Sequence, residues 1–341
     1  MNMRILSTIA LFFCSQFYLL AQSSVGIGTV DITENQIIDQ DRIEYLANAV
    51  LQELPTIEKD SINQLLIKEL SFNLNKKHAF RHSFDRVKSL TILTSPDSTF
   101  RIFNWEISYV DGSNQYKCLI IKKLNNEYTL EVLQPLDSTF AREELVNQKL
   151  GVNNWLPALY YKIIPVKSRF QTFYTLLAWD GNDLLTNKKY IEVLWFDKTG
   201  KTIFGAPIFR NNLTVQSRVI FEFGGQNSMN LNFEKELERI SFSHLAPPSS
   251  NLEGIYEYYG ADVTFDAYDW NGNYWSLVQE VIPAWADPKG RTKSKVTNKR
   301  FGEEDASNPN EASKILKESE KQKKIADDKL KEEVEQLKAA P

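Results

Sequence analysis

The sequence predicts a mainly β protein: an antiparallel multi-stranded sandwich, barrel or propeller-like domain, preceded by two amphipathic helices and followed by a charged helical or disordered C-terminal tail. Short segments rich in β-branched and aromatic residues recur between turn residues along most of the chain. Residues 190–196 are apolar at nearly every position, which is typical of a strand covered on both faces. An Asp-Lys-Thr-Gly turn at 197–200 leads back into 201–204, and Asn271-Gly272 separates two further strand segments. Pattern alone leaves the three β topologies open.

Residues 1–21 predict a secretory signal peptide. Arg4 precedes an apolar run that ends in the small residue Ala21, as in a cleaved leader. A retained transmembrane helix needs about 20 apolar residues. Polar residues interrupt this run at Ser7, Thr8, Ser15 and Gln16. Bulky residues in front of Cys14 argue against lipidation. We therefore expect an exported chain without a transmembrane span after cleavage, located in the periplasm, with the outer-membrane surface and the extracellular space as alternatives.

The composition is that of an ordinary globular protein of 341 residues, with 42% hydrophobic and 12% aromatic residues. The formal net charge is -4, so no overall basic excess would draw the chain to nucleic acid. Once the signal peptide is removed, Cys118 is the remaining cysteine. We then expect no intramolecular disulfide, no cysteine cluster for zinc or iron–sulfur, and no cofactor.

Residues 22–86 are predicted to form a helical segment that packs on the β domain. Thr33 to Gln36 has the T-x-x-Q form of a capping box, and Pro55 is expected to end the first helix. Asp60 is expected to cap the second helix. Apolar residues recur at helical spacing on one face of each helix: Ile43, Leu46, Ala47, Val50, Leu51 and Leu54 in the first, and Ile62, Leu65, Leu66 and Leu70 in the second. Both stripes are interpreted as core rather than as a partner-binding groove.

Residues 87–285 are predicted to form the antiparallel β domain. In 103–109, large apolar residues alternate with polar ones, which predicts a strand with a single buried face. Cys118 falls inside the next strand, where it is expected to be a small buried hydrophobe. Further strands are expected at 116–121, 128–133, 159–166, 170–179, 218–223, 229–233 and 240–245, with a short helix at 141–149.

Beyond the β domain the aromatic residues almost disappear. Residues 286–312 are rich in Lys, Ser, Asn, Gly and Pro, which predicts a disordered linker. Residues 313–341 predict a charged helical tail with a thin apolar seam. So few heptads favour a single solvated helix over a coiled coil, and the tail is left available to engage a partner.

The sequence carries few signs of catalysis. It contains no G-x-S-x-G, H-E-x-x-H, Walker A or C-x-x-C motif, which removes the commonest enzyme classes. His78 and His82 are interpreted as surface histidines in a basic patch, with a zinc pair on one helix face as the alternative. His244 is in phase with neighbouring apolar residues and is interpreted as a packed histidine bonded to the backbone. No catalytic residue and no metal ligand is predicted.

Two tryptophan–acid turns supply the candidate ligand-binding residues. They are Trp179, Asp180 and Asp183 in one turn, and Asp269 and Trp270 in the other. A sugar ring can stack on an exposed indole and hydrogen-bond to neighbouring carboxylates, and paired carboxylates suit glycoside hydrolysis. Turn chemistry alone explains the same residues, because hairpins select Asp, Asn and Gly. Sugar binding here requires that Trp179 and Trp270 be exposed and face a common cleft.

A series of short motifs resembles a family of exported proteins from Bacteroidetes that has no established activity. The motifs are Ser95-Pro96-Asp97, FRIFNW at 100–105, WDGN at 179–182, FGAP at 204–207, HLAPP at 244–248 and Tyr258-Tyr259-Gly260 followed by Tyr268. The resemblance covers roughly residues 60–282 and omits the charged tail. It implies an exported, β-rich protein and transfers no catalytic residue.

The leading functional hypothesis is an exported cell-envelope protein without evident catalytic machinery, whose β domain has a binding or structural role toward an unknown ligand. Its basis is the dense strand pattern beside the scarcity of catalytic motifs. The alternative is a secreted carbohydrate-binding module or glycoside-acting enzyme that uses the tryptophan–acid turns. The expected partners are another envelope protein or a glycan, and not nucleic acid.

Overall fold

The computed structural model describes residues 37–124, 127–136, 141–169, 171–211 and 214–286. The predicted signal peptide, the Thr33 to Gln36 capping box, the predicted tail and nearly all of the predicted linker lie outside the described residues. These four features remain predictions from the sequence.

Two helices and a four-stranded sheet come first in the described chain. The helices are α1 (Gln40–Val50) and α2 (Thr56–Leu74). The strands are β1 (Thr91–Thr94), β2 (Phe100–Ser108), β3 (Asn114–Leu124) and β4 (Glu127–Val132), and they form an antiparallel meander, the first sheet. The helices cover one face of it, where Leu46, Leu66 and Leu70 pack with Phe103 and Trp105.

A six-stranded middle sheet follows a short helix, α3 (Arg142–Leu145). Its strands are β5 (Leu150–Gly151), β6 (Leu159–Lys167), β7 (Thr172–Asp180), β8 (Thr186–Phe196), β9 (Thr202–Phe204) and β12 (Val219–Gly224). The order across the sheet is β5, β9, β8, β7, β6. One edge of β8 is shared: β12 pairs with residues 186–191 and β9 with residues 194–196. β8 is therefore the centre of this sheet.

A third sheet, also of six strands, contains most of the remaining chain. Its strands are β10 (Phe209–Arg210), β11 (Val215–Gln216), β13 (Leu231–Glu234), β14 (Arg239–Ala246), β15 (Gly260–Trp270) and β16 (Trp275–Val278). The order is β11, β10, β16, β15, β14, β13. The pairing of β10 with β16 is parallel, and the other pairs in the sheet are antiparallel.

Three hydrophobic clusters show how these elements are stacked. One lies between the helices and the first sheet. A second joins the opposite face of the first sheet to the middle sheet, with Ile102 and Ile120 packed against Leu176 and Leu194. A third joins the other face of the middle sheet to the third sheet. The mainly β prediction is confirmed, and the sheets are stacked face to face behind a layer of helices.

The two predicted hairpins are confirmed. Residues 190–194 of β8 are buried without a break, and Gly200 takes the left-handed conformation with φ +83° at the turn into β9. Asp197 Oδ1 accepts hydrogen bonds from the backbone N–H groups of Thr199 and Lys201, which closes this turn. The Asn-Gly turn joins β15 to β16, with φ +94° at Gly272.

The predicted helix boundaries are wrong by several residues. The first helix begins after Asp39, whose side chain accepts from the N–H of Arg42, and it ends at Val50, so Leu51 is exposed. Pro55 does not end this helix but precedes the first turn of α2, where its missing N–H is not needed. The second helix thus starts one turn before the predicted cap at Asp60.

The prediction of a single buried face for β2 is also wrong. The strand is buried on both faces because helices cover one side of the first sheet and the middle sheet covers the other. Asn104 is consequently fully buried although it is polar. Its side chain donates to the carbonyl of Lys117 at 2.7 Å and accepts from the N–H of Tyr160, a residue of β6, at 2.6 Å. These bonds compensate the cost of burying the amide.

A buried ion pair lies inside the middle sheet. Glu192 of β8 and Arg218, next to β12, are 2% and 0% exposed at their side chains, and Arg218 Nε donates to Glu192 Oε2 at 2.7 Å. Arg218 also donates to the carbonyl of Leu145, and the N–H of Val193 donates to Glu192. Burial raises the pKa of Glu192 and Arg218 opposes that rise, so each charge depends on the other.

Replacing Arg218 with methionine is expected to lower the free energy of unfolding by about 3–5 kcal/mol, because the carboxylate of Glu192 is left buried without its partner. Urea denaturation measures the change. The double variant Glu192→Leu with Arg218→Met should recover most of the loss, and Asp41→Asn, which breaks an exposed pair with Arg86, should cost less than about 1 kcal/mol. An Arg218→Met effect as small as that of Asp41→Asn would contradict this account.

Candidate functional site

A polar pocket of about 370 Å3 opens at the turn that joins β7 to β8, near α3 and β12. Its polar lining comes from four separate parts of the chain. These residues are Asn114, Tyr116, Arg142, Asp180, Asn182, Lys188, Tyr190 and Glu222, and the apolar lining is Leu145, Leu156, Pro157 and Ile220. We call this the Asp180 pocket.

Asp180 is held in the pocket by its own turn. It is the last residue of β7 and lies opposite Lys188 of β8. Its Oδ1 accepts from the N–H of Asn182 at 2.8 Å, and its Oδ2 accepts from the hydroxyl of Tyr190 at 2.8 Å. Asn182 takes the left-handed conformation that Asx turns favour, with φ +43°. The carboxylate is therefore fixed by one local and one cross-strand bond.

Two tyrosines form the inner wall of the pocket. The hydroxyl of Tyr116 accepts from the N–H of Gly181 at 2.7 Å, which ties β3 of the first sheet to the turn of the middle sheet. A Cβ atom at Gly181 would lie 2.6 Å from Asn114 Nδ2, so a larger residue here would require the Asn114 side chain to move. Burial raises the pKa of Tyr116 and of Tyr190, and the charge of Asp180 raises both further. Both phenols therefore remain protonated at neutral pH.

The outer wall carries two cations around one carboxylate. Glu222 Oε1 accepts from the hydroxyl of Thr186 at 3.0 Å and lies 3.9 Å from Lys188 Nζ, while its Oε2 lies 3.6 Å from Arg142 Nη1. Lys188 Nζ donates to Asn182 Oδ1 at 2.8 Å. Arg142 stacks on the ring of Tyr256 at 4.4 Å. With Asp180, the wall holds two positive and two negative groups.

One nitrogen of the outer wall has no hydrogen-bond partner. Arg142 donates to the carbonyl of Ile220, but its Nη1 is buried and, among the described residues, has only the ion-pair contact with Glu222 at 3.6 Å and no hydrogen bond. A buried donor without an acceptor is costly, which favours a ligand oxygen at this position. The pocket thus offers one unused charged donor beside fixed carboxylate, amide and phenol groups.

The structure brings one of the five predicted site residues into this pocket. Asp183 is exposed and closes the turn by accepting from the N–H groups of Leu185 and Thr186, both at 2.8 Å. Trp179 is partly buried at the cluster between the first and middle sheets, with its ring edge-on to Tyr116. Neither side chain lines the pocket.

The other predicted turn lies in the third sheet. Asp269 forms a two-bond ion pair with Arg239, at 2.9 and 2.8 Å. Trp270 packs beside Trp275 in the cluster between the middle and third sheets. Trp179 and Trp270 therefore belong to clusters on opposite faces of the middle sheet and do not face a common cleft.

The environment of His244 differs from the prediction, whereas His78 and His82 lie at the surface as predicted. His244 is half-exposed, and its Nδ1 lies 2.8 Å from Asp266 Oδ2, so the prediction of a packed histidine bonded to the backbone is wrong. His78 and His82 flank a short 3-10 turn rather than sharing a helix face, and His82 accepts from the N–H of Phe84. Within the described part of the chain, no group of three or more His, Cys, Asp or Glu side chains could hold a metal ion.

Comparison with protein-family models, curated proteins and solved structures found no match. The resemblance to the Bacteroidetes proteins therefore stays a prediction. Among the described helices, none is long and apolar enough to cross a membrane.

Most of the Asp180 pocket was missed by sequence reasoning. Tyr116, Arg142 and Glu222 lie far from the predicted turn, and their approach depends on the stacking of sheets and on the pairing of β12 with β8. The sequence did contain a signal that Lys188 and Tyr190 lie beside Asp180. They are two residues apart in a strand that starts just after the turn, so they project from the same face as neighbours of Asp180.

Tyr190→Phe is expected to destabilise the protein by about 1.5–3 kcal/mol, because Asp180 loses a donor to its carboxylate in a partly buried site. Chemical denaturation checks the change. Tyr45→Phe is the matched control, since Tyr45 is 65% exposed. Equal stability of the two variants would show that the Tyr190 hydroxyl does not hold Asp180.

Proposed function

We propose that this chain is an exported cell-envelope protein whose β domain binds a small polar ligand in the Asp180 pocket and performs no catalysis. The observation that carries the proposal is the pocket itself, in which fixed carboxylate, amide and phenol groups surround an unused donor of Arg142. Its volume of about 370 Å3 is within the range of small-molecule sites. The fixed polar groups would set the orientation of the ligand.

The hydrogen bonds and ion pairs of the two pocket carboxylates support ligand binding over catalysis. Asp180 is held by Tyr190 and Asn182, and Glu222 by Thr186 between two cations. Glycoside hydrolysis needs one carboxyl group that gives up its proton to the leaving group and a second that acts on the sugar or on water. Both pocket carboxylates are instead engaged with donors of the protein.

A carbohydrate is the second candidate ligand, in a secreted binding module or glycoside-acting enzyme. Asp180, Asn182 and Asn114 place acceptors and donors on one wall, which suits the hydroxyl groups of a sugar. The tryptophans of the predicted turns do not support this alternative, because they do not line the pocket.

The proposed location rests on the leader-like residues 1–21 and on the resemblance to exported Bacteroidetes proteins. The periplasm is the proposed compartment, with the outer-membrane surface and the extracellular space as alternatives. A glycan or another envelope protein is the proposed partner.

Ligand binding can be tested by ligand-observed NMR with the processed full chain and a panel of mono- and disaccharides, including uronic acids. Lys188→Met should weaken binding of any hit about tenfold, because a charged donor of the pocket is lost. Lys162→Met removes an exposed lysine of β6 and should leave binding unchanged. A hit that binds both variants equally would place the ligand elsewhere. Turnover of a glycan that Asp180→Ala abolishes would overturn the non-catalytic proposal in favour of the enzyme.

Export can be tested separately. The full gene, expressed in a bacterial host with an outer membrane, should yield a chain that begins at Gln22 in the periplasmic fraction, because cleavage is expected after Ala21. N-terminal sequencing and intact mass measure this. As a control, replacing Leu11 and Phe12 with Lys should leave the chain uncleaved. A chain that retains Met1 in the cytoplasmic fraction would contradict the proposed location.

A further inference from the structure

A second, larger cavity of about 820 Å3 lies where the chain after α2 crosses the first sheet. Residues 80–85, 87 and 88 line one side, and residues of β1 to β4 line the other. It shares no lining residue with the Asp180 pocket, so its role does not depend on the proposed function. We call it the basic groove, because its described lining contains the basic residues Arg81, His82, Lys88, Arg101 and Lys123 and one acid, Asp85.

Arg101 is the buried member of the basic groove, at 5% exposure. Its Nη1 donates to the carbonyls of Ala79, Phe80 and His82, the last at 2.6 Å. The guanidinium also lies over the ring of Phe103 at 5.2 Å. Its Nε is buried and has no hydrogen-bond partner. The carbonyls hold the side chain in place but do not neutralise its charge.

Within the described ranges of the chain, no carboxylate forms an ion pair with the cations of the basic groove. Among the described residues, the salt bridges involve other basic side chains, and none includes Arg81, Lys88, Arg101 or Lys123. Arg86, in the same loop, differs from these cations because it forms ion pairs with both Asp41 and Glu44. The positive charge of the groove is thus concentrated and uncompensated.

Such an arrangement is unfavourable without an anion. Buried charges in proteins are normally paired, and a guanidinium with an unused donor is the preferred partner of carboxylate and phosphate. Burial lowers the pKa of Arg101, and burial together with the charge of Arg101 lowers the pKa of His82. Both shifts have the direction expected of a cationic site that lacks its counter-charge.

The walls of the basic groove indicate the size and nature of the anion. Phe80 and Tyr128 stack at 5.0 Å between ring centres, and Tyr128 is partly exposed beside Lys123. The groove is larger than a single inorganic anion requires and offers ring surface for a carbon skeleton. We propose that the basic groove binds a multiply charged organic oxyanion, a ligand with two or more carboxylate or phosphate groups.

Calorimetric titration of the processed full chain with citrate and with inorganic phosphate at low ionic strength tests this. Both anions should bind, citrate more tightly, and Lys88→Met should weaken citrate binding about tenfold through loss of a charge-assisted contact. Lys123→Met should also weaken citrate binding about tenfold, for the same reason. Both lysines are exposed, so the variants should fold. Lys235→Met, which removes an exposed lysine of the third-sheet β13–β14 turn, should bind citrate like the unaltered protein.

A second readout distinguishes binding in the groove from a general effect of charge. Citrate should raise the pKa of His82, which NMR of its ring protons measures, and should leave the ring-proton chemical shifts of His244, which does not line the groove, unchanged. Absence of citrate binding, or equal binding by Lys88→Met, Lys123→Met and the unaltered protein, would overturn the proposal.

Two sources of the anion can be told apart in the same assay. Co-sedimentation of the protein with vesicles of cardiolipin, whose headgroup carries two phosphates, should be compared with phosphatidylcholine vesicles and with the calorimetric result for citrate. Binding of citrate but not of cardiolipin vesicles assigns a soluble ligand. Binding of cardiolipin vesicles that Lys88→Met weakens, alongside citrate, assigns a lipid headgroup as the source of the same oxyanion chemistry.

Discussion

Burial of the middle sheet on both faces is the constraint on which the rest of the structure depends. In β8, Tyr190 and Leu194 project into the cluster shared with the first sheet, and Ile191 and Val193 into the cluster shared with the third. A sheet that is apolar on both sides is stable only when another layer covers each side. The helices, in turn, cover the outer face of the first sheet. Four layers follow from the need to bury successive apolar faces, without a metal or disulfide among the described residues.

Buried polar groups define how the layers sit on one another. The indole N–H of Trp105 donates to Asn63 of α2, and that of Trp275 in the third sheet donates to Thr175 in the middle sheet. Lys122 of the first sheet donates to the carbonyl of Gly200 at the β8–β9 turn. Apolar contacts tolerate small displacements, but a buried donor that loses its acceptor is costly. Each layer boundary therefore contains a bond that penalises sliding.

The two proposed sites lie where this stacking leaves polar groups near solvent, and they differ in charge. The Asp180 pocket balances two carboxylates against Lys188 and Arg142, which suits a neutral or weakly charged polar ligand. The basic groove has one acid beside several cations and includes the buried Arg101. Each includes side chains of paired strands, such as Asp180 and Lys188 in the pocket and Arg101 and Lys123 in the groove, and these are held in position before a ligand arrives. The same scaffold can therefore present two sites with separate specificities.

The sequence by itself determined the positions of the longer strands, the hairpin turns at Gly200 and Gly272 and the burial of Cys118, because turn chemistry and side-chain alternation act over a few residues. It did not predict the short strands β1, β5, β10 and β11. It also placed Asp180 at the end of a strand. Tertiary structure alone decided that Asn104 is enclosed on both sides and that Glu192 meets Arg218, 26 residues away. The tertiary structure also brought together the residues that line the Asp180 pocket and the basic groove. Those contacts depend on strand order and on which sheet covers which face, and neither is encoded in local periodicity.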